Sequence, residues 1–250
     1  MNAITATCHV HSTWSYDGSS SLAQLAETFR NRGTQALLMT EHDKGFSSER
    51  LTEFRDACSH ASSDALMVMP GIEYSDAANR VHVLVWGPVP FLGEGVETGR
   101  LLEAVAEHGG VAVLAHPGRR DAWQCVQPDW GARLLGVEAW NRKYDGWAPS
   151  ATAPAILRQS GALPFVGLDF HTDRQLFPLS MTLELDGGIS EEAIMTCLRQ
   201  RQCSPSAFGM PLDDIRVERS LPLLRAAELG RSSLAAARRH VKARFAAATR

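Results

Sequence analysis

Residues 8–18 read CHVHSTWSYDG, and they complete and follow a short apolar run, Ile4–Val10, of the length and composition of a β-strand. Side chains of a strand alternate between its two faces, so His9 and His11 are predicted to share a face. Two imidazoles side by side at a strand end are a suitable start for a metal site. The stretch therefore predicts a strand that delivers two potential metal ligands together.

Similar apolar runs recur along the chain and alternate with amphipathic segments. The remaining predicted strands are Ala36–Met39, Leu66–Met69, Val81–Trp86, Val111–Leu114, Leu134–Ala139, Leu163–Leu168 and an edge or closing strand, Ser180–Leu185. The predicted helices are Ser21–Arg32, Ser48–His60, Glu97–His108, Ala151–Gln159 and Ser190–Arg201. This alternation is typical of repeated β-α units, and it predicts an α/β fold with a largely parallel sheet or barrel.

Ionisable residues fall at the ends of most of these strands. They are His9, His11, His42, Glu73, His116, Asp169 and His171, with His82 inside the fourth strand. If all strands of a barrel point the same way, their C-terminal ends meet at one mouth, so these side chains should meet in space. The other histidines, His60, His108 and His240, fall in helical or surface contexts, and we assign them no function.

The gathered residue types favour a metal site. A single histidine at a strand end is more often structural, but the convergence of six histidines with carboxylates outweighs that alternative. Burying these groups together would be costly without a cation, and divalent ions turn that cost into binding energy. Nitrogen and oxygen ligands without thiolates suit Zn, Mn or Fe.

Bulk properties set wider limits. A length of 250 residues fits one large α/β domain, and 44% hydrophobic with 21% charged residues is ordinary for a globular protein. A net charge of -3 provides no global attraction to nucleic acid or to a membrane surface. No signal peptide or membrane-spanning run is visible, which predicts a cytoplasmic location. The five scattered cysteines predict reduced thiols rather than disulfides.

The last thirty residues differ from the rest. The segment 221–250 is rich in Ala, Leu and Arg, and its basic residues include Arg238, Arg239, Lys242, Arg244 and Arg250. We predict one domain over residues 1–220 and a basic helical tail over 221–250 that packs on the domain or extends from it. A solvated helical face is the simpler reading of the tail, and a nucleic-acid or partner contact is the alternative.

Six segments in order resemble the motifs of the PHP (polymerase and histidinol phosphatase) superfamily. They are residues 8–18 with His-x-His-Ser and Ser-x-Asp-Gly, Thr40-Glu41-His42-Asp43, Pro70-Gly71-Ile72-Glu73, Val81-His82-Val83-Leu84, Ala115-His116-Pro117 and Gly167-Leu168-Asp169-Phe170-His171. The resemblance spans residues 4 to 184. Six motifs in the same order are far more specific than one motif alone.

The resemblance implies a distorted (β/α)7 barrel with two or three divalent ions, although strand counting alone also allows eight units. It assigns His9, His11, Glu73 and Asp169 to one ion, Glu73, His82 and His116 to a second, and Asp17, His42 and His171 to a third. Some members of the superfamily have histidine where this chain has Asp17. Each ligand position is filled, which the resemblance associates with a catalytic member.

The implied activity is metal-dependent hydrolysis of a phosphate ester, by a hydroxide bridging two ions that share Glu73. Arg119 follows His116 by three residues and is the first candidate to hold the substrate's negative charge. Further candidates are Lys44, Arg142 and Arg174, for which a solvated surface position is the alternative. The substrate could be a nucleotide, a nucleoside bisphosphate, an oligonucleotide end or a small phosphorylated metabolite.

Two other functions compete with this one. A binuclear amidohydrolase would start with a similar His-x-His and act on a C–N bond, but its usual bridging lysine has no counterpart at the expected place. A metal-stabilised binding module without catalysis would act through the basic tail instead.

Overall fold

The computed structural model describes residues 2–213 and 221–234. Its strands are β1 (Asn2–Val10), β2 (Ala36–Met39), β3 (Glu41–His42), β4 (Met67–Met69), β5 (Gly71–Ser75), β6 (His82–Trp86), β7 (Val111–Leu114), β8 (Gly136–Asn141), β9 (Leu163–Gly167), β10 (Leu179–Leu185), β11 (Cys203–Ala207) and β12 (Met210–Pro211). Its helices are α1 (Leu22–Arg30), α2 (Ser48–Ala61), α3 (Thr98–Glu107), α4 (Ala153–Ser160) and α5 (Glu191–Arg199). The chain is therefore a mixed α/β protein.

The strands form two six-stranded sheets, and the chain passes from one sheet to the other through single residues at two places. One sheet has the order β12-β11-β10-β1-β2-β4, and the other has the order β3-β5-β6-β7-β8-β9. Only Thr40 separates β2 from β3, and only Pro70 separates β4 from β5. After β9, the backbone N–H groups of Leu168 and Phe170 donate to the carbonyls of Cys8 and His9 at 3.1 and 3.0 Å. The strand order therefore returns to β1.

The prediction that all strands of the site are parallel is wrong for β6. This strand runs antiparallel to both β5 and β7, while β1, β2 and β4, and likewise β7, β8 and β9, pair in parallel. A connection of six residues, 76–81, is enough for a hairpin but too short for a parallel crossover. His82 consequently lies at the start of β6, at the same end of the sheet as the C-terminal ends of its neighbours.

The last predicted strand is also placed differently from the prediction. β10 is not an edge strand, because it pairs antiparallel with β1 on one side and with β11 on the other. Neither β11 nor β12 was predicted, since Cys203–Ala207 contains a proline and no run of large apolar residues.

Burial explains why the apolar runs became strands. Each residue of β2, β6, β7 and β8 is buried, as expected of strands covered on both faces. Helix α1 buries Leu22, Leu25 and Phe29 and begins with a capping box at Ser21. All five cysteines are free thiols, as predicted.

The C-terminal region is described in part. Residues 221–234 are helical, and the Oε2 atom of Glu228 accepts a hydrogen bond from the backbone N–H of Trp147 at 2.9 Å. The basic residues predicted for the tail, Arg238, Arg239, Lys242, Arg244 and Arg250, lie outside the described residues, as does His240. In the parts of the chain that are described, no helix combines the length and the apolar character needed to cross a membrane.

Candidate metal centre

The predicted ligands lie around one cavity of about 380 Å³, and six of them line it: Asp17, His42, Glu73, His82, His116 and Asp169. His9 and His11 come from the end of β1, His42 from β3, Glu73 from β5, His82 from the start of β6, and His116, Asp169 and His171 from the segments after β7 and β9. Asp17 reaches the cavity from the loop after β1. The structure thus brings together all nine residues that the sequence placed at the site.

Glu73 lies at the centre of the group and is buried. Its Oε1 atom lies 2.7 Å from His82 Nδ1 and 3.0 Å from His116 Nε2. Its Oε2 atom lies 3.0 Å from His42 Nδ1 and 3.5 Å from His11 Nε2. One carboxylate therefore faces ligands of all the predicted ion sites, as a bridging group must.

A second carboxylate, that of Asp169, faces the two histidines of the first motif. Asp169 Oδ1 lies 3.7 Å from His9 Nε2 and 3.6 Å from His11 Nε2. His9 Nε2 in turn lies 3.5 Å from Glu73 Oε1. Such spacings between donor atoms suit ligands arranged around one small cation.

The third carboxylate, that of Asp17, lies between two imidazoles. Its Oδ1 atom is 3.3 Å from His42 Nε2, and its Oδ2 atom is 3.2 Å from His171 Nε2. The two Nε2 atoms are 3.5 Å apart. Donor atoms of His11, His42 and His171 also lie within 4.8 Å of one another.

Several buried polar atoms of the ligand candidates lack hydrogen bonds. They include His9 Nε2, His11 Nε2, Glu73 Oε2 and His116 Nδ1. The Nε2 atoms of His9 and His11 lie 3.5–3.7 Å from carboxylate oxygens of Glu73 and Asp169, without hydrogen-bond geometry, whereas Glu73 Oε2 also lies 3.0 Å from His42 Nδ1. Buried polar atoms are rarely left unpaired, so these residues fit divalent ions.

Backbone conformation supports the same assignment. His9, His116 and Asp169 have φ angles of 62°, 25° and 47°, a left-handed region that side chains other than glycine rarely adopt. At His9 the pairing of β1 with β2 also shifts register between Cys8 and Val10. This bulge, rather than simple strand alternation, directs His9 and His11 into one pocket. Strained backbone of this kind is concentrated at functional sites.

Two buried glutamates behind the ligands were not predicted. Glu138 Oε1 lies 2.8 Å from His9 Nδ1, and Glu138 Oε2 accepts from the backbone N–H of His116 at 2.7 Å. Glu41 accepts from the backbone N–H of Ser12 and from the hydroxyl of Ser15. A carboxylate in the position of Glu138 fixes the orientation of a ligating imidazole. The sequence signal of Glu138 was weak, since it is one acid within an apolar strand, whereas Glu41 lies directly before His42.

The electrostatics of the pocket show how protons compensate its charges. Burial alone would raise the pKa of Glu73, but the histidines around it, His82, His9, His116 and His42, together outweigh burial and hold that pKa well below its usual value. Burial would lower the pKa of His42, but hydrogen bonds with Asp17 and Glu73 raise it to about 10. Burial, with His42 and His171 adding to it, lowers the pKa of His11 well below its usual value. A divalent ion would replace the protons that this group shares.

Of the predicted substrate-binding residues, Lys44 and Arg119 line the cavity. The guanidinium group of Arg142 instead lies 5.1 Å from the ring of Phe177 and contacts the carbonyl of Arg174, whose own side chain is not part of the lining. Lys143, which is not among the predicted residues, does line it. The Nζ atom of Lys143 donates to Asp169 Oδ1 at 3.1 Å.

Tyrosines occupy the rim of the same cavity. The ring of Tyr16 stacks on His42 with centroids 5.1 Å apart, and that of Tyr144 lies 4.6 Å from the ring of His116. Trp86 and Trp140 are buried in the core, with their indole N–H groups bonded to the carbonyls of Met39 and Gly146. Tyrosines rather than these tryptophans therefore supply the aromatic surface of the mouth.

Another depression is larger but lacks this chemistry. It measures about 470 Å³, lies against α1 and β10, and shares no residue with the metal centre. Its polar lining consists mainly of Thr5, Thr7, Thr34 and Arg32. Size alone therefore does not locate the reactive site.

The structure resembles several solved structures, although no protein-family model and no curated protein sequence matches the chain. PsfC from Pseudomonas syringae PB-5123 matches with a TM-score of 0.61 and 18% identity over 94% of this chain and 100% of PsfC. A candidate metal-dependent phosphoesterase from Bifidobacterium adolescentis matches with a TM-score of 0.51 and 16% identity over 78% of this chain and 94% of that one. The chain has the fold of these proteins.

A longer protein shares the fold as well. The lesion-specific endonuclease PfuEndoQ from Pyrococcus furiosus matches with a TM-score of 0.55 and 13% identity over 80% of this chain and 56% of its own length. At such identities the likeness concerns the fold.

Proposed function

We propose that this chain is a metal-dependent phosphoesterase of the PHP superfamily, with the seven-unit barrel that its motifs imply. The observation that supports this most directly is the buried Glu73 carboxylate, which has three imidazole nitrogens within 3.0 Å of its oxygens. A stable core has no need of such a cluster, because well-packed apolar residues would cost less. The hydrogen bonds from Leu168 and Phe170 after β9 to Cys8 and His9 in β1 support the barrel of the proposal.

The ligand sets of the proposal are those that the resemblance implies. His9, His11, Glu73 and Asp169 would hold one ion, Glu73, His82 and His116 a second, and Asp17, His42 and His171 a third. When bound, such ions activate water near neutral pH and neutralise charge on a phosphoryl group. Zn, Mn and Fe all suit these ligands.

The residues of the chain would bind and orient the ester. Arg119 and Lys143 lie on the side of the cavity formed by the segments after β7 and β8, and Lys44 lies after β3. Glu138 holds the ring of His9, and Tyr16 and Tyr144 limit access at the rim. Lys143 is the cation nearest the ligands, so we assign it to the phosphoryl oxygens.

The charge of the lining favours a small substrate. Three cationic side chains, Lys44, Arg119 and Lys143, face six carboxylates, Asp17, Asp43, Glu73, Asp76, Glu94 and Asp169. A long polyanion needs an extended basic surface, whereas one phosphate needs only a few placed donors. We therefore propose a small phosphate monoester, such as a nucleotide or a phosphorylated metabolite, ahead of an oligonucleotide end.

The test is hydrolysis of p-nitrophenyl phosphate and a nucleotide panel by chelator-treated protein reloaded with Mn²⁺, Zn²⁺ or Fe²⁺. Activity should require the metal. His9→Ala should lower it by about 100-fold or more, with reduced metal content by elemental analysis. His60→Ala is the matched control, because His60 is exposed and bonds only the carbonyl of Asp56. Metal-independent turnover, or equal activity in both variants, would exclude the proposal, and turnover of an amide substrate instead would indicate an amidohydrolase.

A further inference from the structure

Asn79 occupies a tight turn between β5 and β6 at the edge of the metal centre. Its φ angle is 51°, a left-handed conformation that asparagine tolerates better than most residues. Its backbone N–H donates to the carbonyl of Asp76 at 2.8 Å, and the Oδ1 atom of Asp76 accepts from the N–H of Arg80 at 2.6 Å. The turn therefore fixes the backbone of Asn79, and its side chain lines the cavity.

The side-chain oxygen of Asn79 joins a metal-ligand candidate to a substrate-binding candidate. Asn79 Oδ1 lies 2.6 Å from His82 Nε2 and accepts from Arg119 Nη2 at 2.9 Å. The backbone carbonyl of Asn79 accepts from Arg119 Nη1 at 2.8 Å. One residue thus contacts both functional groups through separate oxygens.

These contacts assign the proton on His82. A guanidinium group can only donate, so the atom that Arg119 Nη2 contacts must be the amide oxygen. The same oxygen faces His82 Nε2, which must then carry a hydrogen and donate. The other nitrogen, His82 Nδ1, faces Glu73 Oε1 at 2.7 Å, so it is the nitrogen whose hydrogen a divalent ion would replace.

The contacts also hold Arg119 rigidly. Nη1 and Nη2 are bound by Asn79, and Nε donates to the hydroxyl of Tyr144 at 3.0 Å. A long side chain that is fixed before the substrate arrives loses little conformational freedom on binding it. The N–H groups left on Nη1 and Nη2 are then available to an anion.

We propose that Asn79 is a positioning residue with two roles: it selects Nδ1 of His82 as the ligand nitrogen, and it holds Arg119 in place for the phosphoryl group. The inference deepens the proposed function and rests on it for the role of Arg119. The role toward His82 concerns ion binding alone and stands even if the substrate is not a phosphate ester.

The experiment uses Asn79→Gly and Asn79→Asp in the full-length chain. Glycine adopts a φ of 51° freely and keeps the backbone carbonyl for Arg119, so only the side-chain oxygen is lost. Aspartate keeps an oxygen at that place and also tolerates the conformation. Isothermal titration with Mn²⁺ measures ion affinity, and titration of the Mn²⁺-loaded protein with inorganic phosphate measures anion affinity.

We expect Asn79→Gly to lower the affinity of one Mn²⁺ site by 10- to 100-fold and to leave that of another site within threefold of wild type. Inorganic phosphate should bind about tenfold more weakly. Asn79→Asp should restore Mn²⁺ affinity to within threefold of wild type. A turn residue with no other role would lower the melting temperature of Asn79→Gly without changing either affinity, and that result would overturn the inference.

Arg119→Met separates the two roles. This variant should lower the affinity for inorganic phosphate. Its Mn²⁺ affinity should stay within threefold of wild type, because Arg119 contacts no ligand candidate directly among the described residues. Adding Asn79→Gly to it should weaken Mn²⁺ again but leave phosphate affinity within threefold of the single variant. Full additivity of the two substitutions in phosphate affinity would refute the coupling to Arg119.

A wild-type protein that binds Mn²⁺ but hydrolyses no phosphate ester would refute the proposed function. The role of Asn79 toward His82 would then be judged by the Mn²⁺ titrations alone.

Discussion

Lys143 is the residue whose environment sets it apart from the other cations of the chain. Its Nζ atom donates to Asp169 Oδ1 and lies 3.3 Å from His171 Nε2, so it adds positive charge beside two ligand candidates. Burial lowers its pKa, but Asp169, Tyr144 and Glu73 together outweigh burial and raise that pKa above its ordinary value. The ammonium group therefore stays charged at neutral pH and can attract a phosphoryl oxygen.

Replacement of Lys143 with Met should lower kcat/KM for a phosphate monoester by about 10- to 100-fold, because a hydrogen bond to a charged group contributes about 1.5–3 kcal/mol. The adjacent substitution Arg142→Met is the matched control, since Arg142 packs on Phe177 away from the cavity. It should leave kcat/KM within about threefold of wild type. Steady-state kinetics with Mn²⁺-loaded proteins distinguishes the two positions. A larger loss in Arg142→Met would reverse this assignment.

The sequence pattern selected Arg142, whereas Lys143 lines the cavity, and the difference has a physical reason. Its apolar pattern ends at Ala139, whereas β8 continues through two further residues to Asn141. The backbone N–H groups of Lys143 and Tyr144 then bond to Asn141 Oδ1 in a tight turn. The direction of a side chain in such a turn depends on these local hydrogen bonds, which composition and spacing do not encode.

At the scale of elements, the sequence was informative where one residue type dominates a segment. β2 and β7 lie at their predicted bounds, because each is a short run of apolar residues that is buried throughout. The direction of β6 was not predictable in the same way, since apolar composition is the same for parallel and antiparallel strands. The antiparallel direction of β6 places its N-terminal end beside the C-terminal ends of β5 and β7. His82 is the first residue of β6, so it still lies at the site.

The turn after β8 also contains a carboxylate whose titration can be tested. Burial raises the pKa of Asp145 to about 7, although it accepts a hydrogen bond from the backbone N–H of Asn141 at 2.7 Å. A folded-state pKa above the unfolded value means that the folded state binds the proton more tightly. The contribution of Asp145 to stability is therefore complete below about pH 4 and is lost as pH rises to about 7.

Asp145→Asn should remove this pH dependence while keeping an oxygen acceptor for Asn141. Relative to wild type, the variant should gain at most about 1.4 kcal/mol of unfolding free energy per pH unit between pH 4 and 7, and nothing further above that range. Urea unfolding at pH 5, 6, 7 and 8 measures the difference. Asp64→Asn, at an exposed position, serves as the control. A difference that is constant across these pH values would contradict the assigned pKa.

At the scale of the whole molecule, the reactive residues and the C-terminal helix are separate. No residue of 221–234 lines the cavity or belongs to a candidate ligand group. The helix contacts the rest through Leu224, which packs against the core, and through Glu228, which accepts from Trp147 in the turn after β8. We therefore propose that residues 1–220 contain the complete catalytic unit and that 221–250 form an accessory tail.

A chain that ends at residue 220 should keep its metal content and hydrolyse p-nitrophenyl phosphate at a rate within about threefold of the full chain. Its thermal midpoint should fall by a few degrees, because an apolar contact and a hydrogen bond worth together about 1–3 kcal/mol are lost. Glu228→Ala in the full chain isolates the effect on the turn that holds Lys143 and should account for any change in KM. Loss of turnover on truncation, with metal content unchanged and Glu228→Ala fully active, would instead assign the tail to the working site. The tail would then have to reach the cavity from outside the described contacts, and the division at residue 220 would be untenable.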